Sequence, residues 1–465
     1  MPEKPQISPR TLAEKLFFEG ARQMAAELPA EAERLFRGAL AAAPDLAEAW
    51  VNLGLVLEQR EQDGEAEACY RRALALRPEI AETHVNLGGL LARHKRLDEA
   101  EAAYAQALRL APDQPGTWSN LGVLYASMRL DDEAEACFEK ALALAPDLPR
   151  ARFNLGVMRL RQGRLEEGWA GLEARDWYAG LKKQLRCPRW QGEPLAGRSV
   201  LVGYEVGHGD MVQFGRYAAQ LKARGAGPVS LLCHPALKRL FATLAGVDHV
   251  LGFDEPWPEA QWDVWTPLMS LPYYFETRLD TIPASLPYLK TDPALALRWA
   301  AELPPRPSLR VGLVWKGNPR FENDADRSLA SLAVLAPLWQ VPRVCFVSLQ
   351  KGAGEDQAEN PPPGQPLLHL GGRMRDFADA AAIMAGLDLV IAVDTAMAHL
   401  AGALGKPCWL LLPRYQTDWR WLEERTDSPW YPGVMRLFRQ TGPGDWQPVM
   451  EELTAALQTL VNAAD

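Results

Sequence analysis

The chain has 465 residues, 48% of them hydrophobic, enough for about two to four domains with apolar cores. Its 36 glycines and 37 prolines stay well below the share that marks collagen-like or low-complexity chains. The net charge of −9, from 50 basic and 59 acidic residues with no basic arm, argues against a nucleic-acid partner.

Apolar stretches such as Leu387–Val393, which Asp388 interrupts, and Cys408–Leu412 are far shorter than the ~20 residues of a membrane-spanning helix, so no membrane span is expected. Near the N-terminus, Glu3, Lys4, Arg10, Glu14 and Lys15 interrupt any apolar leader, and a cytoplasmic protein is expected. Residues 1–12 read as a flexible segment. The six cysteines, 69, 137, 187, 233, 345 and 408, show no pair at metal-ligand spacing and are read as buried spacers, not as a disulfide framework.

From residue 13 the sequence repeats itself every 34 positions. Trp50, His84, Trp118 and Arg152 share a phase, as do Leu53, Leu87, Leu121 and Leu155, and Gly54, Gly88, Gly122 and Gly156. Ala66, Ala100 and Ala134 follow, then Ala73, Ala107 and Ala141, and the units close at Pro78, Pro112 and Pro146. A degenerate first copy holds Gly20, Ala32, Ala39 and Pro44. Within one unit Trp50, Leu53, Gly54 and Leu57 make an apolar stripe on a first helix, and Ala66, Tyr70 and Ala73 make another on a second. Small residues let the two helices approach, and proline ends the second. One such pair cannot cover its own apolar face, so units stack into a solenoid with a concave face. The pattern resembles the tetratricopeptide repeat over residues 13–180.

Asn52, Asn86, Asn120 and Asn154 also share a phase, and residues 1–172 hold no other asparagine. Asparagine disfavours helix interiors, so four in register need a reason. An interhelix hydrogen bond repeated in each unit, or simple duplication, is one. The resemblance to tetratricopeptide arrays implies another, an asparagine ladder whose amides pair with an extended protein or peptide in the groove.

After Trp190 the pattern changes to short apolar run, loop and amphipathic helix. Ser199–Gly203 and Val229–Cys233 predict strands around a helix over Met211–Arg224, a doubly wound strand–helix–strand unit. A stretch with Pro283, Pro287, Pro293, Pro304, Pro305 and Pro307 reads as a connection. A second half follows: strands at Arg310–Trp315, Val344–Leu349, Leu387–Val393 and Cys408–Leu412, a helix at Thr395–Leu404, a surface loop at Gln357–Pro366, and a closing helix at Trp446–Val461. The expected fold class is therefore α plus α/β. A repeat solenoid over 13–180 precedes Rossmann-like halves over 181–300 and 301–465, with ligands at the C-terminal ends of parallel strands.

The loop GYEVGHGDMVQFGRY (Gly203–Tyr217) begins a G-x-G pattern at Gly207 and Gly209. Val212 stands where a third glycine is needed, and His234 follows the next strand in place of an acid, so a dinucleotide site is rejected. Gly207, Gly209, Gln213 and Arg216 are taken as cleft residues, and Asp210 starts the next helix, where a cap is the plainer reading. In AVDTAMAHLAGALGKPCWLLLP (Ala392–Pro413) a strand runs straight into a helix. The backbone amides at Thr395, Ala396 and Met397 are placed to bind a diphosphate there, with His399 one turn further in and Asp394 just before. Asp324-Ala325-Asp326 has the D-x-D form but is not taken as a metal site. In Asp418–Gln440, rich in tryptophan and arginine, the tryptophans read as packing residues and Arg420 and Arg439 as cleft candidates.

Together GHGD, VGLVWKGNPRFENDADRSL (Val311–Leu329) and DTAMAHLAGALGKP resemble glycosyltransferase family 9, the lipopolysaccharide heptosyltransferases, over about residues 195–460. The whole chain resembles bacterial proteins in which tetratricopeptide repeats precede such a domain. The resemblance implies a GT-B fold, a nucleotide-diphosphate sugar as substrate, inversion without a metal, and no cofactor. It implies that Asp210 is the general base, and that Lys316, Asn318, Arg327, Asp394, Thr395 and His399 bind the donor; Gln350, just beyond the strand Val344–Leu349, is taken to contact the nucleotide base or ribose. The family's glycine is Ala396 here, and a methyl group narrows a phosphate site. A non-catalytic interaction scaffold is the competing reading.

Overall fold

A computed structural model describes residues 8–257, 262–306, 308–321 and 323–463. Outside the described residues lie the first seven of the twelve expected to be flexible, Pro307 of the connection and Glu322 of the loop motif. The chain divides into two compact units, one ending at Leu155 and one starting at Gly156.

The first unit is helical. It contains α1 (Pro9–Ala25), α2 (Pro29–Ala42), α3 (Ala47–Gln59), α4 (Asp63–Leu76), α5 (Ala81–Arg93), α6 (Leu97–Leu110), α7 (Pro115–Met128), α8 (Asp131–Leu144) and the start of α9 (Pro149–Arg161); α10 (Leu165–Leu172) follows. Helix α1 starts inside the span expected to be flexible. The repeating glycine is explained by its neighbour sixteen residues on. A Cβ at Gly20, Gly54, Gly88 or Gly122 would lie 2.8, 2.5, 2.9 or 2.8 Å from the ring of Phe36, Tyr70, Tyr104 or Phe138. Each aromatic ring therefore lies flush on the partner helix, and these rings are buried.

The in-phase Trp50, His84 and Trp118 have a local task. Their ring nitrogens reach the carbonyls of Pro44, Pro78 and Pro112 at 2.9, 2.9 and 2.8 Å, which ties each first helix to the turn before it. The residues preceding those prolines, Ala43, Arg77 and Ala111, are extended (φ −143°, −142° and −140°), as pre-proline sterics require, so the second helix of each pair stops there. The turn inside each pair uses a left-handed residue at Glu27, Glu61, Lys95 or Arg129, again 34 apart. Asn52, Asn86, Asn120 and Asn154 are half-buried, and among the described residues their side chains make no hydrogen bond. The interhelix hydrogen bond offered for them in the sequence is not formed.

The second unit contains two parallel sheets. The first has β1 (Val200–Gly203), β2 (Val229–Cys233), β3 (His249–Gly252) and β4 (Val264–Pro267) in the order β3-β2-β1-β4. The second has β5 (Leu309–Val314), β6 (Val344–Ser348), β7 (Leu368–His369), β8 (Leu389–Val393), β9 (Cys408–Leu412) and β10 (Met435–Arg439) in the order β10-β9-β8-β5-β6-β7. That is the doubly wound order of a Rossmann sheet, whose winding reverses between β5 and β8 and opens a crevice at their C-terminal ends. The first sheet reverses between β1 and β4.

Three expectations change. Helix α10, inside the span 13–180, is joined to the α/β unit: Trp169 is buried, donates to the Thr277 carbonyl at 2.8 Å and meets Trp419 edge-on at 5.3 Å. The proline-rich connection carries a helix, Pro293–Ala300, capped by Asp292 and anchored by buried Trp299, which donates to Asp379 at 3.1 Å. The stretch Gln357–Pro366 is pinned at both ends, because Gln357 accepts from Trp315 Nε1 at 3.0 Å and buried Gln365 donates to the Leu332 carbonyl at 3.1 Å. All six cysteines are free thiols, four of them buried, with Cys187 and Cys345 half-buried.

Candidate active site

The helix expected over Met211–Arg224 is broken at Gly215 and Arg216 into His208–Phe214 and Tyr217–Ala223. The first piece follows the β1 loop and packs against the helix Ala396–Ala403, which follows β8. Two motifs that are far apart in sequence thus meet. Gly209 is the point of contact: a Cβ there would lie 2.8 Å from His399 Cδ2 and 3.4 Å from Ala396 Cα. A glycine is needed because the opposing helix leaves no room.

Asp210 stands one residue on. One carboxylate oxygen accepts from the Gly207 N–H at 3.1 Å, and the other is paired with the Arg420 guanidinium. Burial pushes the Asp210 pKa up, with Asp418 adding to the rise, while Arg420 and the Gly207 N–H oppose it. Arg420 is itself buried and also grips Asp418, Nη1 to Oδ2 at 2.7 Å, while Asp418 caps its backbone N–H at 3.0 Å. The Arg420 Nε is buried with no hydrogen-bond partner among the described residues.

Asp394 follows β8 and accepts from Trp421 Nε1 at 2.9 Å. Burial and Asp418 push its pKa up to about 6. The first N–H groups of the helix, at Ala396 and Met397, have no intrahelical acceptor. The Thr395 hydroxyl, at the N-cap, is buried and unpartnered among the described residues. His399 is buried, stacks on Trp421 at 5.2 Å and shares a hydrogen bond of 2.9 Å between Nδ1 and the Tyr431 hydroxyl. Burial, then the charges of Arg420, Arg216 and Arg327, hold its pKa well below 6.5, so the ring is neutral. In the tautomer in which Tyr431 donates to Nδ1, the ring proton is on Nε2, on the Gly209 side.

The loop after β5 supplies further positive charge. Arg327 pairs with buried Asp324 at 3.1 Å and covers the Phe321 ring at 4.7 Å, so the D-x-D aspartate is committed to an arginine. Lys316 is half-buried, and its ammonium makes no hydrogen bond or ion pair among the described residues. Asn318 is exposed and accepts from the Arg320 N–H at 3.1 Å, a local turn.

Three expected site residues are turned to the interior. Gln350 accepts from the N–H groups of Trp315 and Lys316 at 2.9 and 3.0 Å, and donates to the carbonyls of Lys316 and Ala353 at 3.0 and 2.7 Å. With both its oxygen and its amide hydrogens engaged, it shapes the β5 loop and has nothing left for a nucleotide. Arg216 is buried, and donates to the Trp430 carbonyl at 2.7 Å and the Tyr288 hydroxyl at 3.0 Å, which ties the two halves of the unit together away from solvent. Gln213 is fully buried with both side-chain polar atoms unpartnered among the described residues. Asp418, Trp421 and Tyr431, by contrast, belong to the site and were missed as site residues. The adjacency of Asp418 and Arg420 was the available signal.

Residues 334–410 match the family described as glycosyltransferase family 9 (heptosyltransferase). This span includes Asp394 to His399 and stops short of Arg420. Residues 121–181 match the tetratricopeptide repeat, and residues 21–136 match the cilia and flagella-associated protein 70 middle TPR-like domain. The N-terminal region carries tetratricopeptide-like repeats, and the C-terminal region a family 9 match. Protein FlbA of Caulobacter vibrioides is 28% identical over 326 residues, 64% of this chain. The match spans 53% of the length of FlbA. Among solved structures, PilF of Pseudomonas aeruginosa is 23% identical with a TM-score of 0.33, over 36% of this chain and 76% of that one. MamA of Desulfovibrio magneticus RS-1 is 19% identical with a TM-score of 0.32, over 37% and 97%. Among the described residues no helix is long and apolar enough to cross a membrane.

Proposed function

We propose that the α/β unit is a metal-independent, inverting glycosyltransferase whose substrate is a nucleotide-diphosphate sugar. Its acceptor is a protein or peptide recruited by the repeats. The observation that carries this reading is the half-buried carboxylate of Asp210, next in sequence to Gly209, which closes on a helix N-terminus at Ala396 that has free N–H groups. Such an N-terminus favours a diphosphate through both hydrogen bonds and the helix dipole.

In the reaction the acceptor hydroxyl gives its proton to Asp210. Its oxygen forms a bond to the anomeric carbon as the bond from that carbon to the diphosphate oxygen breaks, and the diphosphate leaves with the electron pair. A raised Asp210 pKa strengthens it as a base. Charge developing on the leaving group is met by the N–H groups of Ala396 and Met397, by His399 Nε2–H, and by the cations Lys316 and Arg327, which act where a metal otherwise would. The unbonded amides of Asn52, Asn86, Asn120 and Asn154 support a groove that pairs with an extended backbone.

A non-catalytic scaffold is favoured by two features: Ala396 in the family's glycine position and the ion pair that occupies Asp210. Calorimetry of the purified protein against nucleoside diphosphates and their sugars decides between the two. The transferase reading expects one nucleotide-sugar to bind. Lack of binding across the whole set supports the scaffold.

A further inference from the structure

Among the described residues Arg420 is the one buried cation in direct contact with the proposed base, and three acidic groups surround it. It pairs with Asp210 and Asp418, and it lies near enough to Asp394 and His399 to shift both pKa values. Its side chain is 8% exposed, yet Nε has no partner among the described residues. A buried, unsatisfied N–H on an arginine is costly, and arginine presents its donors in a fork suited to phosphate oxygens. Trp421, next in sequence to Arg420, donates to Asp394, and the hydroxyl of the adjacent Thr395 is also buried and unpartnered among the described residues, at the start of the helix whose first N–H groups are free. Unfilled hydrogen-bonding capacity is therefore concentrated where the two halves meet. The ion pair has a consequence for catalysis too: the guanidinium opposes the rise that burial gives the Asp210 pKa, so drawing it off makes the carboxylate a stronger base.

We propose that Arg420 is a shared ligand, paired with Asp210 while the donor site is empty and with the donor diphosphate once it is filled. This deepens the transferase reading and rests on it. Donor binding then frees the Asp210 carboxylate to accept the acceptor proton, so the base becomes available only when there is a sugar to transfer. Asp418 holds the arginine in both states and sets its reach.

The two partners compete for one cation, and competition has a signature that a structural ion pair lacks. Calorimetric titration of the full chain with UDP, GDP, ADP, CDP, dTDP and inorganic pyrophosphate is compared for wild type, Asp210→Asn, Arg420→Gln, Arg420→Lys and the double variant Asp210→Asn with Arg420→Gln. Asp210→Asn, nearly isosteric, should bind the preferred diphosphate severalfold more tightly. Arg420→Gln should weaken it by about tenfold to a hundredfold, as expected for loss of a charge-assisted hydrogen bond. Arg420→Lys should recover part of the loss, because charge returns without the fork. The double variant should match Arg420→Gln, since removing the competitor is useless once the contested group has gone. Equal affinity of wild type and Asp210→Asn, or unchanged affinity in Arg420→Gln, overturns the sharing while leaving the donor site standing. Binding by no variant overturns the donor site itself.

Discussion

A single methyl group at Gly209 probes the meeting of the two motifs. Placed there, it would stand 2.8 Å from His399 Cδ2 and 3.4 Å from Ala396 Cα, with His399 stacked on Trp421 and hydrogen-bonded to Tyr431. Overpacking of this kind costs about 1–3 kcal/mol. Alanine for glycine near a helix start returns at most about 1 kcal/mol of propensity, so Gly209→Ala should destabilise by about 1–2 kcal/mol. Gly64→Ala is the control. It occupies a helix start in α4 with open space around its Cβ position, and should stabilise by about 0.4–1 kcal/mol. Urea unfolding followed by tryptophan fluorescence gives both shifts. If Gly209→Ala is as stable as wild type, the β1 loop does not press on the Ala396 helix and the site as described is wrong.

The remaining predictions concern the ladder, the β5 loop and pH. Replacing Asn86 and Asn120 by alanine should stabilise the repeats by about 0.5 kcal/mol each, because helix propensity is gained and no internal hydrogen bond is lost; a structural ladder would give destabilisation in the same urea titration. Gln350→Ala should cost about 2–4 kcal/mol, since it strands several buried backbone groups, and loss of stability, not a selective loss of nucleotide affinity, should dominate. Asp394 has a carboxyl pKa raised from 3.8 to about 6. The folded state therefore binds more protons than the unfolded state across that window, and this residue's contribution to stability is full below about pH 4 and declines as pH rises towards 6. Stability measured from pH 4 to 7 should fall less steeply in Asp394→Asn than in wild type, and identical profiles would contradict the assignment.

The repeats were legible because each unit solves one packing problem with one residue pattern: Gly54 against Tyr70 is the same solution as Gly88 against Tyr104. The strands were legible as short apolar runs, and β2 and β9 begin and end where the composition changes. The site was less so. That Asp210 faces Arg420, 210 residues on, is a product of the chain's tertiary path, and no local period records it. Gln350 and Arg216 misled because a polar residue beside a strand end or loop looks the same in sequence whether it faces a ligand or the backbone. Their carbonyl and N–H partners decide which, and those lie 34 and 214 residues away. Ala396, read from the resemblance as a departure from the family's glycine, is the residue on which Gly209 closes from the other half.

The most direct test of the account is the rate at which the bound nucleotide-sugar is hydrolysed to sugar and nucleoside diphosphate, with water in place of the acceptor hydroxyl, in wild type and in Asp210→Asn. The account predicts a fall of about 10²–10⁴-fold, the usual contribution of a general base, with donor affinity kept or improved. Equal rates in the two proteins would remove Asp210 as the base and with it the mechanism built on the meeting of the two halves.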